Sequence, residues 1–79
     1  MNLAEAKDYF KLDLFVGFHA IKDPLSEGWM LVFEGAKERS WVMQTALGKD
    51  KIYSTMDSLN QDVGRVMGRP IFQWTHMFP

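Results

Sequence analysis

The sequence contains no cysteine, and that absence removes disulfide staples, thiol catalysis and the usual structural zinc ligands together. A secreted domain of 79 residues would normally need such a staple, so a cytoplasmic chain is expected. Long apolar runs are also lacking. None approaches the roughly 20 residues of a membrane span, and no membrane partner is expected. The opening stretch MNLAEAKDYF carries acids and no apolar segment, so it does not read as a signal peptide. Neither sign of charge dominates, since nine basic and ten acidic residues leave a net charge of −1. Lys7, Lys11, Lys37, Arg39, Lys49 and Lys51 are interleaved with Asp8, Asp13, Glu34, Glu38 and Asp50. DNA and RNA binders usually gather their cations into a stripe, so this pattern reads as a mixed, solvated surface. The same balance argues against a strongly acidic mimic of DNA.

What the chain does have is core material. Apolar residues make up 47% of it and aromatics 14%, including three Trp and six Phe. Burying one such side chain contributes roughly 1.5–3 kcal/mol, enough for about ten of them to offset much of the ordering entropy. One α+β domain spanning residues 1–79 is expected, without repeats, low-complexity segments or internal linkers.

The chemistry templates fail on counting. Ser26, Ser40, Ser54 and Ser58 are present, but none sits in a Gly-x-Ser-x-Gly elbow beside His19 or His76. The two histidines are far apart in sequence and do not have metal-ligand spacing with one another. Gly48-Lys49 suggests a phosphate loop, yet Met43 stands where that motif needs its first glycine and Asp50 where it needs Ser or Thr. No catalytic residue, cofactor or metal is assigned, and the chain reads as non-enzymatic.

Periodicity predicts the elements. Asn2 and Glu5 have the spacing of a capping box, and Leu3, Ala6 and Phe10 form one stripe, predicting a helix over about 3–10. Alternation from Leu12 to Ile21 predicts a strand, with Leu12, Leu14, Val16, Phe18 and Ala20 on one side and Phe15, Gly17, His19 and Ile21 on the other. Asp23-Pro24 and Ser26-Glu27-Gly28 supply turn chemistry. A second strand, Trp29–Glu34, and a third from Ser40 to about Leu47 flank the loop Gly35–Arg39 as a hairpin. Ile52-Tyr53 reads as a short extended piece. Ser54 and Asp57 predict a helix start near 55, and Met56, Leu59, Val63, Val66 and Met67 form its stripe. Gly68 and Pro70 close it. Ile71–Phe78 reads as a last strand. The order α-β-β-β-α-β predicts a two-layer sandwich: a mostly antiparallel four-stranded sheet with both helices on one side.

That arrangement would leave Phe15, Ile21, Met30, Val32 and Val42 on a second sheet face, and small monomers rarely expose a large apolar patch. A helix on each face would cover it. So would a protein partner or a second copy in a homodimer, while aromatic strands of this kind can also stack bases. Phe15, His19, Trp29, Trp41 and Trp74 are the candidate partner-binding residues, because aromatics dominate binding hot spots; core packing is the competing role for each.

The phrases Leu12-Asp13-Leu14-Phe15, Asp23-Pro24-Leu25-Ser26, Ser40–Gly48 and Tyr53–Leu59 resemble short RepB-like replication-associated proteins of plasmids and integrative elements. They span about two thirds of the chain and are structural motifs (hairpin, turn and helix cap). Gln73-Trp74-Thr75-His76 has no counterpart among them. The resemblance implies a mobile-element protein that works by binding and modulating or blocking a protein complex, host- or element-encoded. It fits an accessory of replication or maintenance, or an inhibitor of host defence of the anti-CRISPR type. A nucleic-acid-binding regulator is the alternative of a different class.

Overall fold

A computed structural model describes residues 1–68. The described elements run α1 (Leu3–Lys11), β1 (Phe15–Lys22), β2 (Trp29–Gly35), β3 (Ser40–Val42) and α2 (Met56–Met67). The α+β class holds, but the sheet is three-stranded, in the order β1-β2-β3 and antiparallel throughout, where four strands were expected. The expected strand 71–78, with Trp74 and His76, lies outside the described residues.

Both helices begin as their sequences dictate. At α1 the Asn2 side chain accepts from the Glu5 N–H, and Glu5 Oε1 accepts from the Asn2 N–H, each at 2.9 Å. These reciprocal bonds satisfy two donors that a helix start leaves orphaned. At α2 the cap is Thr55, one residue beyond the predicted Ser54, and its Oγ1 accepts from the Ser58 N–H at 3.1 Å. Gly68 ends α2 in the left-handed region at φ 74°, as a C-terminal glycine should.

β1 departs from strict alternation. Phe15 pairs with Gly35 while Gly17 pairs with Glu34, so Val16 is an extra residue in a β-bulge. One inserted residue reverses the parity of everything before it. Phe15 therefore turns to the helix side with Phe18 and stacks on Phe33 at 4.7 Å, although simple alternation puts it on the opposite face. Val16 is left exposed. The strand also begins at Phe15 rather than Leu12, because Leu12 caps α1 and Asp13 takes a left-handed φ of 59°.

The β1–β2 turn follows its sequence. Asp23 accepts from the Leu25 N–H and the Ser26 hydroxyl, and the Asp23 N–H donates to the Gly28 carbonyl at 2.9 Å. Gly35 opens the β2–β3 turn, where a Cβ would sit 2.7 Å from the Trp41 ring. β3 stops at Val42, short of the expected Leu47. Beyond it Gln44 bridges Asp50 across a turn that leaves Leu47 on the surface. Tyr53 bridges Trp29 through two backbone bonds of 2.8 Å, so segment 52–53 is extended as expected.

The core fills one side of the sheet. Ala20, Leu31, Phe33, Met43 and Tyr53 meet Ala6 of α1 and Leu59, Val63 and Val66 of α2 in one buried cluster. Both helices thus cover the same face, making two layers. Among the described residues, no helix is long and apolar enough to cross a membrane.

Candidate functional site

The register of the sheet places His19 of β1, Val32 of β2 and Val42 of β3 side by side across the face opposite the helices. A groove of about 510 Å³ runs over this outer face, lined among others by Val16, Ile21, Val32, Val42, Glu34 and Arg39. Val32, central in the central strand, is only 4% exposed. Val16 and Ile21, along β1, stand open at 67% and 42%. His19 Nδ1 lies 3.2 Å from Glu34 Oε1, an ion-pair distance whenever the imidazole is protonated. Glu38 and Arg39 from the β2–β3 turn complete the rim. The result is an aliphatic floor with charges of both signs around it.

The five sequence candidates separate in space. Phe15 and Trp41 join an aromatic group with Tyr9: Trp41 meets Tyr9 edge-on at 5.4 Å and Phe15 at 5.8 Å. Both are partly buried against the core. Trp29 is likewise partly buried there, with the Lys22 ammonium 4.9 Å over its ring. Of the four described candidates, only His19 stands on the outer face. Trp74 lies outside the described residues.

A second constellation lies between α2 and the segment 51–53, and periodicity alone does not single it out. Asp62 is 2% exposed. Its Oδ2 accepts from Lys51 Nζ at 2.7 Å and from the Tyr53 hydroxyl at 2.6 Å, and its Oδ1 accepts from Arg65 at 2.5 Å. Lys51 and Tyr53 reach the same carboxylate because alternate residues of an extended segment point the same way. Arg65 reaches it as the i+3 neighbour on the helix. A signal does exist in the sequence: Asp62 interrupts the stripe of Leu59, Val63 and Val66.

The electrostatics follow from this geometry. Burial raises the Asp62 carboxyl, but the bonds from Lys51, Tyr53 and Arg65 outweigh it and hold the group below its usual range. Burial, and then the hydrogen bond to Asp62, push the Tyr53 phenol above its ordinary value. Tyr53 is therefore protonated and Asp62 ionised at neutral pH, with both carboxylate oxygens engaged. Such a group clamps two elements together rather than aiming a free oxygen at a substrate. A second groove of about 420 Å³ between the start of α1 and residues 43–46 has Lys51 and Asp62 among its lining. Among the described residues, no group of three or more His, Asp or Glu is placed to hold a metal ion.

No protein-family model, curated protein or solved structure matches the chain.

Proposed function

We propose that this chain is a small non-enzymatic protein-binding domain of a mobile genetic element, modulating or blocking a protein complex as an accessory of replication or maintenance. The observation that carries the reading is the outer sheet face. An open groove with exposed Ile21 and Val16, a buried Val32 and a rim of mixed charge has the anatomy of a modest protein interface: apolar centre, polar edge. The resemblance to RepB-like replication-associated proteins supplies the setting. An inhibitor of host defence of the anti-CRISPR type would use the same face, by occluding a site on its target. The nucleic-acid alternative is less favoured, because Glu34 and Glu38 sit on the rim where a phosphate backbone would need cations.

Affinity capture from the native host, read by mass spectrometry, tests these readings. Recovery of a replication initiator supports the accessory role, and recovery of a nuclease or surveillance complex supports the inhibitor. Recovery of DNA or RNA alone, lost steeply as salt is raised, overturns both.

A further inference from the structure

We draw no further inference here: the strongest candidate, the groove of about 420 Å³ between the start of α1 and residues 43–46, rests on a helix N-terminus, and the Asp62 carboxylate in its lining is already taken up by Lys51, Tyr53 and Arg65, so that no second observation among the described residues points to a ligand.

Discussion

The phenol of Tyr53 donates to the carboxylate of Asp62 across 2.6 Å, joining the extended segment after β3 to the buried side of α2. Lys51 and Arg65 complete the carboxylate's partners from the solvent side, their side chains 39% and 56% exposed. This ion is buried, multiply bonded and central to how α2 is seated.

Replacing Asp62 with Asn keeps the shape and removes the charge. Lys51 and Arg65 can return to water, but Tyr53 stays buried with a weaker acceptor. A loss of about 1–3 kcal/mol is expected, measured by urea denaturation at neutral pH. Because Asp62 is held below its ordinary value, its contribution is present above the unfolded carboxyl range near pH 4. It is lost as pH falls through the lower folded value. The wild type should therefore lose stability on acidification more steeply than Asp62→Asn; parallel acid limbs would contradict the clamp.

Tyr53 works in the opposite direction. Its folded value lies above the ordinary phenol value near 10, so its contribution is full below about pH 10 and lost as pH rises further. Tyr53→Phe is expected to lower stability at pH 7 by about 1 kcal/mol and to flatten the alkaline limb. Ultraviolet titration of the wild type should show one of its two tyrosines ionising only as the protein unfolds.

The β2–β3 turn holds Lys37 and Glu38 in left-handed conformations that an Asn-Gly pair adopts with less strain. The double exchange Lys37→Asn with Glu38→Gly is therefore a stabilising change. About 1 kcal/mol is expected, raising the melting temperature by roughly 4–8 °C for a domain of this size. A fall in melting temperature would mean the turn has another shape.

Phe33 sits under the helices, fully buried, with Phe15 stacked on it and Phe18 edge-on at 5.4 Å. Phe33→Ala is expected to cost about 3–5 kcal/mol, enough to unfold a domain of ordinary marginal stability. Circular dichroism at 25 °C reads this directly.

Much of the fold was legible because it is locally determined. The Asn2–Glu5 box, the turn at Asp23–Gly28, the α2 stripe and the Gly68 cap each depend on residues within a few positions of one another. The misplacements are non-local. Phe15 alternates correctly in sequence, and only its pairing with Gly35 reveals the bulge that moves it to the core. Segment 44–47 has the composition for a strand, yet it curls into a turn because Asp50 bridges back to Gln44. The outer face is legible in part: of the alternating set, Ile21, Val32 and Val42 share it, whereas Phe15 turns to the core. Asp62 is not legible as a buried ion, because an acid in a helix reads as solvated until Lys51 and Tyr53 are brought against it. An acid inside an apolar stripe is the sign to look for.

The most direct measurement is the affinity of the captured partner for wild type and for Ile21→Asp, with melting temperatures recorded for both. Ile21 is exposed on the groove and makes little contribution to the core, so its substitution should shift melting by only about a degree or two. Partner binding weakened about tenfold or more with melting unchanged is the outcome predicted for an interface on the outer sheet face. Undiminished binding by Ile21→Asp would contradict it.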